Sequence, residues 1–144
     1  MARVLLTGYQ GETIDQFVKK LKKNDVEFVF DVREIPLSRK SGFSKTHLES
    51  ALGSAGIEYQ HMEELGSPRE LRNKLRTYGD YLEFFTEYRK YVKKHGELLK
   101  SMLKIINLKH SALLCFEKDC ELCHRTILAS ELQKRNPRLK IIPV

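Results

Sequence analysis

The sequence predicts an α/β fold in which a mostly parallel, five-stranded sheet lies between two layers of helices. Three observations support this three-layer sandwich. Short apolar runs alternate along the chain with longer stretches whose apolar residues recur at helical spacing. Some of the short runs are nearly continuous, as in strands that are covered on both faces. Elements in this order form βαβ units, which build parallel sheets of the Rossmann-like or flavodoxin-like type.

The first half of the chain is predicted to hold three strands and two helices. The stretch Thr13-Ile-Asp-Gln16 fits a capping box, so helix one starts there and runs to about Lys23. Ser44 is predicted to cap a short second helix. Apolar runs predict strands at 3–9 and 26–32, and a third, more polar strand is predicted at 57–62.

The second half begins with a helix start at Ser67-Pro68-Arg69-Glu70, which supplies a cap, a proline at the first position and an early glutamate. The longest helical pattern follows, and Gly96 is expected to kink or split it. A last helix ends at Asn136-Pro137. The long pattern covers 80–107, strands are predicted at 112–116 and 139–144, and the last helix starts near Glu121.

Length and composition predict one domain that spans residues 1–144. Hydrophobic residues make up 41% and charged residues 31% of the chain, as in soluble proteins. No apolar run approaches the roughly 18–20 residues of a membrane span, and the first apolar run is too short for a secretory signal. We therefore expect a cytoplasmic protein without a membrane partner. Its three cysteines then argue for reactivity, metal binding or packing rather than for disulfides.

Positive charge is concentrated in one part of the chain. The formal net charge is +7, and the segment 67–110 alone holds 11 basic and 5 acidic side chains. Such a segment can attract an anionic partner such as nucleic acid. The alternative is a solvated, lysine-rich helix face without a ligand.

The loop after strand two is the first candidate site. Arg33, Arg39 and Lys40 place three cations beside a strand end, and Ser38 adds a hydroxyl group. Guanidinium groups bind phosphate or carboxylate through two hydrogen bonds, so the loop is a candidate anion site. The alternative is an internal ion pair of Asp31 with one of the arginines, which would only fix the loop.

The second candidate site is the cysteine cluster that follows strand four. Cys120-Glu-Leu-Cys123-His124 has the spacing of a c-type haem attachment site, but that chemistry needs an exported protein. The spacing of Cys115, Cys120 and Cys123 is that of plant-type ferredoxins, but the chain has no fourth cysteine.

Zinc is a further possibility for the same cluster, with the three cysteines and one histidine as ligands. His124 is a poor fourth ligand if it and Cys123 are both helical, because consecutive helical side chains diverge by about 100°. A reactive thiol is another: a cysteine in the first turn of a helix beside His124 and Arg125 has a lowered pKa. Cys123 fits that description, whereas Cys115 has the better position for an exposed nucleophile. Simple apolar packing of the cysteines is the remaining interpretation.

The chain carries a series of short motifs: Thr7-Gly8-Tyr9, Asp31-Val32-Arg33, Gly42-Phe43-Ser44, Leu65-Gly66, and Cys115-Phe116-Glu117 followed by Cys123-His124-Arg125. In this order, and over nearly the whole chain, they resemble the domain-of-unknown-function family numbered 488. The resemblance implies a small, cytoplasmic, prokaryotic α/β protein and no particular reaction. Cys120 is not part of the family pattern, and Phe116 stands where many relatives have a small residue. The resemblance implies these signature residues: Gly8, Tyr9, Asp31, Arg33, Pro36, Ser38, Arg39, Cys115, Glu117, Cys123, His124 and Arg125.

Two hypotheses about function follow. The first is an enzyme whose substrate is an anionic small molecule or nucleic acid, bound at the carboxyl edge of the sheet, with no metal and no cofactor predicted. Its candidate catalytic residues are Cys115, Glu117, Cys123 and His124, and its candidate anion-binding residues are Gly8, Tyr9, Asp31, Arg33, Ser38, Arg39 and Arg125. The second is a non-catalytic module that binds nucleic acid or another anion through the basic segment 67–110.

Overall fold

A computed structural model describes residues 2–116 and 123–144. Within these ranges the chain forms five strands, six α-helices and a short 3₁₀ turn at Glu63–Leu65. The elements in chain order are β1 (Arg3–Gly8), α1 (Ile14–Lys23), β2 (Phe28–Asp31), α2 (Lys45–Ser54), β3 (Glu58–His61), α3 (Arg69–Tyr78), α4 (Tyr81–Lys93), α5 (Gly96–Leu108), β4 (Ser111–Cys115), α6 (Arg125–Arg135) and β5 (Lys140–Pro143).

The five strands form one sheet in the order β3-β2-β4-β1-β5, and every neighbouring pair is parallel. The predicted α/β class and the mostly parallel sheet are therefore confirmed. β4 is the central strand, and each of its five residues is buried. The predicted strands each correspond to one in the structure and differ from it by one or two residues at their ends.

Helices cover both faces of this sheet, as alternate residues of the strands show. On one face, Leu5 and Val29 pack with Phe17 of α1 and with Leu48 of α2. The opposite face carries a second core, in which inward-facing strand residues pack with residues of α4, α5 and α6. That core includes Val4, Leu6, Phe30, Leu113, Tyr88, Val92, Met102, Ile106 and Leu128. The sheet thus forms the middle of three layers.

The capping box predicted at the start of α1 is confirmed. The Gln16 N–H donates to Thr13 Oγ1, and the Thr13 N–H donates to Gln16 Oε1. The two other predicted caps are wrong in detail. Ser44 precedes α2, but its hydroxyl bonds the backbone of Ser38 instead of the helix. The helix α3 begins at Arg69, one residue later than expected, so Pro68 rather than Ser67 takes the cap position and no side chain caps the helix.

The long helical pattern predicted over 80–107 divides into α4 and α5, and the helix predicted before it is α3. Gly79 ends α3 in the left-handed conformation, with a φ of 68° that disfavours other residues. Asp80 then caps α4 by accepting a hydrogen bond from the Glu83 N–H at 3.0 Å. The expected break at Gly96 is present, since α4 ends at Lys93 and α5 starts at Gly96. None of the helices in the described residues is long and apolar enough to cross a lipid bilayer.

Candidate functional site

The carboxyl ends of the three central strands lie side by side. Gly8 at the end of β1 is in register with Cys115 at the end of β4, and Asp31 at the end of β2 is in register with Leu114. From β1 the chain continues into α1 on one face of the sheet, whereas from β4 it reaches α6 on the other. Neighbouring strands that connect over opposite faces leave a crevice between their carboxyl ends, where α/β proteins bind ligands.

A cleft of about 630 Å³ opens at this edge of the sheet. One wall comes from the strand ends and the loop after β2, and the opposite wall from α3 and the start of α4. Seven of the predicted site residues line it: Tyr9, Arg33, Ser38, Arg39, Cys115, Cys123 and His124. The volume is in the range of about 300–1,000 Å³ that is typical of small-molecule sites.

Cys123 and His124 form a close pair in this cleft. The Cys123 sulfur lies 3.5 Å from Nδ1 of His124, and Nε2 of the same ring lies 2.7 Å from the carbonyl oxygen of Val32. A carbonyl can only accept, so Nε2 carries a proton and Nδ1 faces the sulfur. The edge contact of Tyr88, with ring centroids 5.0 Å apart, further fixes the imidazole. The pair therefore has an oriented base within reach of a thiol.

The structure corrects the expectation that these two side chains diverge. α6 begins at Arg125, so Cys123 and His124 precede the helix and the helical angle of about 100° per residue does not apply. Cys115 is also placed differently from the prediction. Its side chain is buried rather than exposed, close enough to hydrogen bond the Cys123 sulfur.

The electrostatic environment of Cys123 favours the thiolate. Burial raises the pKa of this thiol, but the hydrogen bond with Cys115 and the charges of His124 and Arg125 outweigh it, so the pKa lies well below that of an ordinary thiol. The same neighbours act on Tyr88. Burial raises its pKa, as does the negative charge of the nearby Cys123 sulfur, so Tyr88 keeps its proton and donates to the Leu65 carbonyl oxygen.

Arg33 is held in a buried network. Its Nε and Nη2 donate to the two carboxylate oxygens of Asp31 at 2.8 and 2.6 Å, and its Nη1 donates to the Tyr9 hydroxyl and the Phe43 carbonyl oxygen. Tyr59 donates a further hydrogen bond to Asp31 at 2.5 Å. The structure thus contains the internal ion pair that was the alternative interpretation of this loop. Arg33 borders the cleft, but Asp31 neutralises its charge.

Tyr9 and Ser38 are fixed by their neighbours rather than directed freely into the cleft. The Tyr9 ring stacks on Phe43 with centroids 4.2 Å apart, and only 2% of the residue is exposed. The Ser38 hydroxyl accepts a hydrogen bond from the Lys40 N–H, and the backbone N–H of Ser38 donates to the Ser44 hydroxyl. Both residues shape the cleft wall, and Ser38 keeps a partly exposed side chain there.

Three predicted site residues lie behind the cleft instead of lining it. Gly8 is buried in the sheet, and its carbonyl oxygen accepts a hydrogen bond from Lys20. The carboxylate of Asp31 is fully buried. Arg125 is fully buried at the start of α6, where its charge acts on Cys123. Glu117 lies outside the described residues.

The far wall of the cleft contains residues that sequence reasoning missed. Arg72 and Arg76 of α3 and Tyr81 of α4 line it, opposite the strand ends. Arg72 pairs with Glu34 at 2.8 Å and also donates to the Ser67 carbonyl oxygen. Arg72 and Arg76 are four residues apart, which places them on one face of a helix. This spacing was the signal in the sequence that could have identified them as a pair. Nothing in the sequence connected that face to the loop after β2.

Phe116 lies at the mouth of the cleft. It is 45% exposed, and its ring meets the Tyr9 ring edge-on with centroids 5.4 Å apart. This large aromatic residue therefore contributes an apolar surface next to Cys115, in addition to its packing on Tyr9.

A family model described as "Domain of unknown function DUF488" matches residues 13–132. The chain belongs to this family. The matched region covers most of the cleft residues, from the loop after β2 to the start of α6, and the resemblance predicted from the motifs is confirmed. A search of the curated proteins finds no match to the chain.

Proposed function

We propose that the protein is an enzyme that binds an anionic, phosphate-bearing substrate in this cleft and uses the Cys123 sulfur as a nucleophile. The observation that carries the proposal is the pairing of this sulfur with His124, whose ring is oriented by the Val32 carbonyl oxygen. A nucleophile, a base and an orienting group in this order form the arrangement that activates thiols in enzymes.

The proposed roles follow from the geometry. Nδ1 of His124 accepts the thiol proton of Cys123, and the resulting imidazolium can return that proton to a leaving group. Cys115 stabilises the thiolate by a hydrogen bond to its sulfur. Cys115 and Cys123 both border the cleft, so an electrophilic centre of the substrate can reach the nucleophile. Glu117 keeps its predicted role as an orienting or basic group and is not part of the geometric support.

Arginines on the two walls support the choice of an anionic substrate. Arg39 in the loop after β2 and Arg76 in α3 are exposed at the cleft, and neither has an ion pair with another described residue. Their guanidinium groups can therefore bind a phosphate or carboxylate group of the substrate. Arg33 instead supports the cleft wall, because its charge is already paired with the carboxylate of Asp31.

The experiment that tests the proposal compares a negatively charged and a neutral thiol reagent in the presence of a chelator. Iodoacetate and iodoacetamide alkylate thiolates by the same reaction, and peptide mapping by mass spectrometry gives the rate at each cysteine. We expect Cys123 to react roughly tenfold or more faster than free cysteine at neutral pH. His124→Gln keeps a donor for the Val32 carbonyl but lacks the base, and should remove that advantage.

The ratio of the two rates measures attraction of the anion. We expect Arg39→Ala/Arg76→Ala to lower the iodoacetate-to-iodoacetamide ratio several-fold, and inorganic phosphate to slow alkylation of Cys123. The matched control is Lys93→Ala/Lys94→Ala, which removes the same charge from exposed positions away from the cleft. A ratio that falls only in the lysine variant would favour the binding module on the basic segment 67–110. A Cys123 no faster than free cysteine would refute the nucleophile.

A further inference from the structure

We propose that Cys115, Cys123 and His124 form a binding site for one thiophilic divalent cation, represented by Zn²⁺. The two sulfur atoms and one ring nitrogen all lie within 4.8 Å of one another, and all three side chains are buried. This is the only group of three or more such side chains found in the described residues. The sequence argument against His124 as a ligand fails, because the residue lies before the helix and turns its Nδ1 toward the sulfur.

The spacing of one ligand pair, the Cys123 sulfur and His124 Nδ1, matches that of a tetrahedral zinc site. Zinc binds thiolate sulfur at about 2.3 Å and imidazole nitrogen at about 2.0–2.1 Å, so neighbouring S and N ligands of a tetrahedron are about 3.6 Å apart. The Cys123 sulfur and His124 Nδ1 are 3.5 Å apart. An ion can therefore lie between these ligands with little movement of their side chains.

The surroundings of His124 are those of a metal-binding histidine. Metal-ligating imidazoles usually donate their second ring N–H to a carboxylate or a backbone carbonyl, which fixes the tautomer and aims the other nitrogen at the ion. The 2.7 Å contact between His124 Nε2 and the Val32 carbonyl oxygen supplies this bond. Strand β2 thus orients a ligand that comes from the start of α6.

The donor set selects the class of ion. Thiolate sulfur and imidazole nitrogen favour Zn²⁺ and similar soft or borderline ions over Mg²⁺ and Ca²⁺, which prefer oxygen ligands. Binding releases the thiol proton of Cys115 and the proton shared by Cys123 and His124, and two thiolates then balance the two charges of the ion. A neutral group of this kind is far easier to bury than an isolated charge.

The site opens toward the cleft, because all three ligands line it. A water molecule or a substrate atom can therefore take the fourth position, as in zinc sites that keep an open coordination place. The metal site does not depend on the proposed nucleophile. One consequence does rest on it: an ion bound by Cys123 withdraws electron density from the sulfur, so the metal-bound protein should be alkylated more slowly than the metal-free protein.

The test uses Co²⁺ as a spectroscopic substitute for Zn²⁺ with the reduced, chelator-treated, full-length protein. We expect sulfur-to-cobalt charge-transfer absorption and the intense visible bands of tetrahedral cobalt, which saturate at one ion per chain. Zn²⁺ should remove both signals, and Mg²⁺ should leave them unchanged. Cys115→Ser and Cys123→Ser should each lower the charge-transfer intensity by about half, since each removes one of two sulfur ligands.

The matched control is Cys120→Ser, which alters the third cysteine of the chain and should leave the cobalt spectrum unchanged. A second measurement uses the wild-type protein alone, in which Zn²⁺ should slow alkylation of Cys115 and Cys123 tenfold or more. Absence of a charge-transfer band together with absence of protection by Zn²⁺ would overturn the metal site, as would a spectrum lost in Cys120→Ser. Alkylation in chelator is measured separately, so failure of the nucleophile is distinguishable from failure of the metal site.

Discussion

Arg33 directs three of its nitrogen atoms at groups inside the protein and is only 6% exposed. Burial lowers the pKa of its guanidinium, but the hydrogen bonds and charge of Asp31 outweigh that effect and raise it. A buried pair of this kind fixes the geometry of the strand end, and removal of one partner leaves the other charged and unpaired. Arg33 is therefore a positioning residue, whereas Arg39 is available to a ligand.

The first prediction concerns these two arginines. Arg33→Ala should lower the free energy of unfolding by about 3–5 kcal/mol, because it strands the carboxylate of Asp31 in the protein interior. Arg39→Ala should change it by less than about 0.5 kcal/mol, since its side chain is exposed. Urea unfolding of both variants measures the difference. Equal stabilities would show that the Asp31–Arg33 pair does not hold the fold.

The second prediction concerns Tyr59, whose hydroxyl donates to Asp31. Burial and the negative charge of Asp31 raise the pKa of this phenol. A pKa that is higher in the folded state contributes stability below the unfolded value of about 10, and this stability is lost as the pH rises above it. Tyr59→Phe should lower the free energy of unfolding by about 1–2 kcal/mol at neutral pH. The deficit relative to wild type should shrink above about pH 10.

Urea unfolding at neutral and alkaline pH measures this effect. Tyr78→Phe is the control, since Tyr78 is 76% exposed and its replacement should leave both the stability and its pH dependence close to those of wild type. A deficit in Tyr59→Phe that stays constant with pH would argue that the hydroxyl is not coupled to Asp31.

At the scale of elements, one close backbone contact sets the position of α3. A side-chain carbon at Gly66 would lie 2.2 Å from the backbone nitrogen of Glu34, so only glycine allows the turn before α3 to meet the loop after β2. This contact brings Arg72 within reach of Glu34, and both of these residues line the cleft. The two walls can approach each other closely because Gly66 has no side chain, and the ion pair of Arg72 with Glu34 joins them.

The third prediction follows from this contact. Gly66→Ala forces the two backbone segments apart and should lower the free energy of unfolding by about 1–3 kcal/mol, as overpacking does. Gly53→Ala is the matched control, because Gly53 lies within α2 and a carbon added there meets no other atom within 4 Å. That change should instead stabilise the protein by about 0.5–1 kcal/mol. Thermal or urea unfolding measures the direction of both changes in stability. A Gly66→Ala variant as stable as wild type would contradict the proposed contact.

At the scale of the whole molecule, strand order decides where chemistry can occur. β1 and β4 are neighbours, although most of the chain separates them. The helices that follow them lie on opposite faces, and the crevice between their ends receives Tyr9 from one strand and Cys115 from the other. The basic segment 67–110 contributes to the same cleft, since Arg72 and Arg76 form its far wall.

Local patterns predicted much of this fold. The capping box of Thr13 and Gln16 involves residues three apart, so the sequence specifies it without knowledge of the rest of the chain. The break at Gly96 and the five strands are local in the same sense. Local reasoning failed at Ser44, whose hydroxyl bonds the loop backbone at Ser38 rather than the helix. Whether this hydroxyl bonds the loop or the helix depends on how the loop folds back toward the start of α2.

The sequence by itself determined the α/β class, the family and a set of candidate residues near the strand ends, because hydrophobic periodicity and turn residues act over short distances. Only the tertiary structure decided what those residues do together. It neutralised Arg33 with Asp31, brought Arg76 and Arg39 to the same cleft, and aimed Nδ1 of His124 at the Cys123 sulfur. The group that aims this ring is the backbone carbonyl of Val32, 92 positions away in the chain. A backbone oxygen is common to every residue, so its partner follows from the packing of β2 against α6 and not from any side-chain pattern.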